Sequence, residues 1–87
     1  MLTLTFHTDP GHGWLEVDLD LVIKYNLKIS RYSYVKGKRA FLEEDCDAPK
    51  LTEALRNNGV EFEYRELHTD RSHPIRNYNS FMTRGGI

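Results

Sequence analysis

The sequence predicts one small α+β domain, and three observations predict it. Short runs near both ends and in the middle alternate apolar with polar residues; two stretches between them carry apolar residues at helical spacing; and turn-forming Gly, Pro and Asp separate the runs. A period of two half-buries a strand, whereas apolar residues at i, i+3 and i+4 line one side of a helix. The 87 residues leave room for a single domain. A chain this short buries about 60–65% of the surface its unfolded form exposes, so each apolar stripe matters. One Trp, five Tyr and four Phe supply bulk for a core, and a hydrophobic share of 39% is too high for a disordered chain.

Leu2, Leu4 and Phe6 alternate with Thr3, Thr5 and His7 in a first strand. Asp9-Pro10-Gly11-His12-Gly13 supplies turn chemistry, Pro fixing φ and the glycines permitting positive φ. Trp14 to Val17 reads as a second strand, with Leu15 and Val17 on one face, closing a hairpin with the first. Asp18 or Asp20 is placed to cap a helix over 19–26, where Leu19, Val22, Ile23 and Leu27 keep helical spacing and Asn26 supplies the stop. Arg31 to Val35 and Lys38 to Glu43 then flank Lys36-Gly37, a two-residue hairpin turn. That register puts Tyr32, Tyr34, Arg39 and Phe41 on one face, and Ser33, Val35, Ala40 and Leu42 on the other. Asp45 or Asp47 begins a second helix with Pro49 in its first turn, Ala48, Leu51, Ala54 and Leu55 as its apolar stripe, and Gly59 at its end. Val60, Phe62 and Tyr64 alternate with Glu61, Glu63 and Arg65 in a last strand. The expected order is β-β-α-β-β-α-β: a small antiparallel or mixed sheet carrying two short helices over residues 1–68, then an extended basic C-terminal tail over 69–87.

A net charge of −1, from 12 basic and 13 acidic residues, lacks both the basic excess of a nonspecific nucleic-acid binder and the acidic excess of a nucleic-acid mimic. Cys46 is the only cysteine, which excludes an intrachain disulfide and a multi-cysteine zinc site and suits a reducing cytoplasm. No run reaches the roughly 18 apolar residues that cross a bilayer. No charged segment followed by an apolar run opens the chain, so a cytoplasmic protein with no membrane partner is expected.

Four constellations carry chemistry. His7-Thr8-Asp9-Pro10-Gly11-His12 and His68-Thr69-Asp70-Arg71-Ser72-His73 both read H-T-D-x-x-H and hold every histidine in the chain. His and Asp are suitable metal ligands, yet His7 falls on the polar face of its strand while His68 is in phase with Phe62 and Tyr64, and both segments are ordinary turn sequences. The acidic turn Glu43-Glu44-Asp45-Cys46-Asp47 raises the thiol rather than activating it, and its carboxylates read as helix capping plus a surface patch for a basic partner. Tyr32, Tyr34 and Phe41, with Arg39 beside them, are core if covered and a stacking or interface surface if exposed. In the tail, Arg71, Arg76, Tyr78 and Arg84 interleave base and aromatic without an acid, as a segment wrapped on the domain or as an arm for a partner. No phosphate loop, serine elbow or zinc-finger spacing occurs, so no catalytic residue and no cofactor is expected.

Asp9-Pro10-Gly11-His12-Gly13-Trp14, Tyr32-Ser33-Tyr34, Leu42-Glu43-Glu44-Asp45-Cys46-Asp47-Ala48 and the Ile75-Arg76-x-Tyr78 tail together resemble a group of small phage and prophage proteins without an assigned activity. The resemblance spans most of the chain and transfers no site residue. It implies a noncatalytic accessory protein working in the host cytoplasm, where such proteins often occupy a host or phage machine, including defence complexes such as CRISPR effectors. Candidate contact residues are Glu43, Glu44, Asp45 and Asp47 in the acidic turn, Tyr32, Tyr34 and Arg39 on the hairpin, and Arg71, Arg76, Tyr78 and Arg84 in the tail. Two alternatives stand beside it: a single-stranded nucleic-acid binder using the tyrosines and tail arginines, and a metal-binding protein or metal-dependent enzyme using the paired H-T-D segments. So little core is compatible with a homodimer, although nothing in the pattern demands one.

Overall fold

The computed structural model describes residues 1–81. The elements run β1 (Leu2–Thr8), β2 (Gly13–Asp18), α1 (Leu19–Lys24), β3 (Tyr34–Lys36), β4 (Arg39–Glu43), α2 (Ala48–Asn57), β5 (Phe62–His68) and β6 (Asn79–Ser80), with a 3₁₀ turn at Pro74–Asn77. The strands form one sheet in the order β5-β1-β2-β4-β3-β6. β1 pairs in parallel with β5, and all other neighbours are antiparallel, so the sheet is mixed. The α+β class is the one the sequence predicts, and so is the element order through β5.

Alternation along the strands sends two sets of residues to opposite sides of the sheet. One set, including Leu4, Leu15, Val17, Val35, Ala40 and Leu42, meets Val22 of α1 and Ala48, Leu51 and Leu55 of α2 in the main core. Full burial of an aliphatic side chain contributes about 1.5–3 kcal/mol, so this face is the main source of stability. The other set builds a smaller aromatic cluster of Trp14 and Phe41, flanked by Tyr34 and Tyr78 and closed by Ile75. That second face is covered by the segment following β5. Ile75 of the 3₁₀ turn is fully buried, and Phe81, just beyond β6, is buried in the main core. Residues 69–81 of the segment read as a tail therefore pack on the domain as an added turn and a two-residue strand that pairs with β3.

Local chemistry sets the element ends. α1 stops at Lys24, two residues short of the expected 26, and Asn26 takes the left-handed conformation at φ 52°. α2 ends in a Schellman arrangement, Val60 N–H donating to Leu55 O at 2.9 Å and Gly59 N–H to Arg56 O at 3.1 Å, with Gly59 at φ 69°. Two expectations are corrected. The β3–β4 turn is Gly37-Lys38, with Lys36 paired to Arg39 and Gly37 at φ 59°, the first central position where a type II′ turn wants glycine. Tyr34 thus faces Phe41 rather than Arg39; a shift that preserves parity leaves Tyr34, Val35, Arg39, Ala40, Phe41 and Leu42 on their expected faces, while Tyr32 and Ser33 precede the strand. The strand also begins at Tyr34 instead of Arg31, because Ser33 N–H donates to Ser30 O and Tyr32 N–H to Ser30 Oγ, turning the chain before pairing starts.

Candidate functional site

The loop between β1 and β2 is organised by one carboxylate. Asp9 Oδ1 accepts from the N–H groups of Gly11 and His12 at 3.0 Å, an Asx turn, and Oδ2 accepts from His73 N–H at 3.0 Å. Arg76 closes a two-pronged contact, Nε to Oδ2 at 2.8 Å and Nη2 to Oδ1 at 2.9 Å. The guanidinium holds the Asp9 carboxyl well below the usual carboxylate range, outweighing the opposing effect of burial, with the three N–H donors adding to it. The same guanidinium lies over Trp14, 5.2 Å from the ring centroid. His73 starts the 3₁₀ turn by accepting from Ile75 N–H through Nδ1 at 3.1 Å.

A second buried carboxylate joins the hairpin to α2. Asp47 is not exposed at all, and its oxygens accept from Ser30 N–H at 3.1 Å, from Ser30 Oγ at 2.6 Å and from the hydroxyl of Ser33. Lys50 Nζ approaches it at 3.0 Å. Burial pushes this carboxyl up, but the donors prevail and its pKa is lowered. Asp47 occupies the N-cap position of α2 without capping through its side chain. It is therefore no part of an acidic surface patch, contrary to the expectation: its carboxylate is turned inward to the serines.

These two ties bring the four motifs together around one pocket. His12 and Trp14 come from the first, Tyr32 and Tyr34 from the second, Glu43, Asp45 and Cys46 from the third and Arg76 from the fourth; together they line a cavity of about 240 Å³. That is below the roughly 300–1,000 Å³ typical of small-molecule and cofactor sites, and it suits a single inserted side chain. The floor is Trp14, with Tyr34 edge-on at 6.3 Å between centroids. Tyr32, 54% exposed, stands at the mouth. Glu43 is mostly buried, and its Oε1 accepts from the N–H groups of Asp45 and Cys46 at 2.9 and 2.8 Å. Desolvation, a hydrogen bond to Glu43 and the neighbouring carboxylates push the Cys46 thiol up, so the group is a neutral thiol and a poor nucleophile at neutral pH. Glu44 is exposed beside the pocket, where desolvation and the charges of Asp45 and Glu43 raise its carboxyl.

The remaining expected contact residues lie elsewhere. Arg39 is held by Glu16 at 2.9 Å and Asp18 at 2.6 Å. Tyr78 packs on Phe41 with Lys36 Nζ 4.7 Å from its ring, beside a wider depression of about 450 Å³. Arg71 is exposed in the loop after β5, and Arg84 lies outside the described residues. Of the histidines, His7 bonds Glu16 at 2.7 Å and sits 5.0 Å, ring to ring, from His73, whereas His68 bonds Thr8 and Asp70. Parallel pairing sets Thr8 opposite His68 and His7 opposite Leu67, so His7 and His68 point to opposite faces of the sheet. Among the described residues no group of three or more His, Cys, Asp or Glu side chains is arranged to hold a metal ion. Sequence reasoning missed Trp14, His12 and Asp9 as parts of one site with the hairpin, the acidic turn and Arg76; the Asp-Pro-Gly-His-Gly-Trp run stood out as a turn, as part of a metal-ligand pattern and as a motif of the resemblance, but not as one wall of a pocket. Comparison with known proteins finds no matching family model, no similar curated protein and no similar solved structure.

Proposed function

We propose that the chain is a noncatalytic accessory protein of the phage type, which docks on a macromolecular complex through this pocket and modulates it, as an inhibitor of a host defence such as a CRISPR effector would. The observation that carries the reading is the convergence of the four motifs on one side-chain-sized pocket with an aromatic floor and a carboxylate rim. The phage assignment rests on the resemblance of those same motifs. Arg76 already covers Trp14 and is neutralised by Asp9, which leaves the exposed Tyr32 ring at the mouth and the exposed carboxylates of Asp45 and Glu44 to favour a cationic anchor, an Arg or Lys of a partner protein, through ring-face attraction and charge. The same carboxylates repel phosphate, and Arg76, one of the tail arginines offered for nucleic acid, is already engaged by Asp9. A protein partner is therefore favoured over a single strand.

The test is a pull-down from host lysate with the tagged full chain, with and without nuclease, run beside Tyr32→Ala and the double variant Glu44→Lys/Asp45→Lys. All three altered side chains are exposed, so melting temperatures should stay put. The expected result is a stoichiometric protein that survives nuclease and is held at least about tenfold more weakly by both variants, a loss of 1.4 kcal/mol or more. Recovery of nucleic acid alone, or unchanged retention by both variants, overturns the reading.

A further inference from the structure

We infer that β5 is a self-pairing edge: two copies of the chain join antiparallel, β5 against β5, about a two-fold axis at Tyr64, making one continuous sheet. The inference goes beyond the pocket reading, since none of the pocket residues lies on β5. Among the described residues β5 is the terminal strand beside β1, seven residues long, and every residue of it after Phe62 is exposed. A long open edge is a template for another strand unless something restricts it. Two backbone bonds fix which groups face outward. Leu2 N–H donates to Glu61 O at 3.1 Å and Thr69 N–H to Thr8 O at 3.0 Å, so the odd-numbered residues of this strand point their backbone groups at β1. By the two-residue repeat, Phe62, Tyr64, Glu66 and His68 present N–H and C=O to the open edge.

A two-fold axis perpendicular to the sheet keeps the same face up in both copies, so like-facing residues must oppose each other. With Tyr64 on the axis, Tyr64 opposes Tyr64 and Phe62 opposes Glu66 in both directions, all residues with outward backbone groups, giving the hydrogen-bonded positions of an antiparallel ladder. Between them Glu63 of each copy opposes Arg65 of the other, at the closer, non-hydrogen-bonded positions where opposite charges attract most. Neither Glu63 nor Arg65 has an ion-pair partner among the described residues. Glu66 of the second copy arrives beside Phe62, over whose ring Arg56 stands at 5.3 Å, so the pairing also gives Arg56 a carboxylate. The neighbouring registers fail. Moving the axis to Glu63 or Glu66 sets two glutamates against each other, and moving it to Arg65 sets two arginines together; like charges directly opposite destabilise. The charge sequence Glu63-Tyr64-Arg65-Glu66 thus admits one self-register and rejects the adjacent ones. Tyr64, half exposed and already edge-on to Phe6 and Phe62, becomes covered at the junction.

Sedimentation equilibrium of the full chain, across micromolar to millimolar concentration, tests this with charge variants at exposed positions that leave the main core untouched. Arg65→Glu and Glu63→Arg should each weaken the dimer about tenfold or more, and the double exchange Glu63→Arg/Arg65→Glu should restore it. Amide exchange supplies an independent readout: protection of Tyr64 and Glu66 should rise with concentration, while Glu63 and Arg65, bonded to β1, stay constant. A chain that remains monomeric throughout, a dimer indifferent to all three variants, or single and double variants that fail alike would overturn the inference.

Discussion

Asp47 illustrates how one side chain joins segments far apart in sequence. Its donors Ser33 and Ser30 lie 14 and 17 positions upstream, and Ser33 Oγ also accepts from Glu43 N–H at 2.9 Å, so the hairpin entry, the end of β4 and the start of α2 share one network. Replacing it by Ala would leave two hydroxyls and an amide without their acceptor. The expected loss for Asp47→Ala is about 3–5 kcal/mol, because each buried donor left without its acceptor costs about 1–3 kcal/mol. At roughly 4–8 °C per kcal/mol for a domain of this size, the melting temperature should fall by more than ~10 °C, read by thermal denaturation. A fall of only a degree or two would mean that the network contributes little. Local pattern could place an Asp before Ala-Pro at a helix start, and it did; the inward turn of that Asp depends on serines beyond any local window. Asp9 and Arg76, 67 positions apart, were hidden for the same reason.

At the scale of elements, strands with strong alternation were legible, and those built by pairing were not. β1 and β5 carry their period of two in the sequence, β2 and β4 follow turns that contain glycine, and α2 carries stripe, Pro and terminal Gly. β6 has two residues, too few for any period, and exists because it pairs with β3. The 3₁₀ turn likewise holds its place through Ile75, which closes the cluster over Trp14 and Phe41. Ile75→Ala should therefore lower stability by about 2–5 kcal/mol. Because Trp14 is the sole tryptophan, urea unfolding followed by its fluorescence measures that loss directly. An unchanged midpoint would indicate that residues 69–81 rest on the sheet without stabilising it.

For the whole molecule, the perturbed groups give stability a definite pH dependence. The carboxyls of Asp9, Asp47 and Glu16 are all lowered: for Asp9 the chief cause is Arg76; for Asp47 and Glu16, hydrogen bonds and paired charges overcome burial. Their contributions are fully present above the ordinary carboxylate range of about 4 and are lost as pH falls through the lower folded values. His73 is also lowered, by desolvation and the neighbouring His7, against the carboxylates of Asp9 and Glu16. The unfolded chain then takes up that proton first, so stability already declines as pH drops below about 6.5. Urea unfolding between pH 8 and 3 should show a shallow decline below neutrality, then a steeper one near and below pH 4. Constant stability from pH 7 to 5 would contradict the His73 contribution. The overall class followed from patterns in the chain, but strand neighbours did not: alternation tells which face a residue takes, not which strand lies alongside, and nothing local announces that β5 runs parallel to β1.

That parallel pairing also governs the order in which the protein can be completed. Thr8 and His68, bonded side by side, are 60 positions apart in the chain. At about 5–20 residues per second of synthesis, the N-terminal hairpin waits several seconds with one edge of β1 open before its partner has been made. Closing so long a loop is slow, so the domain should fold late and as a unit rather than strand by strand as it leaves the ribosome. The same interval exposes the nascent chain to neighbouring strands on the same message, and the threonines alternating along β1 keep one side of that waiting edge polar.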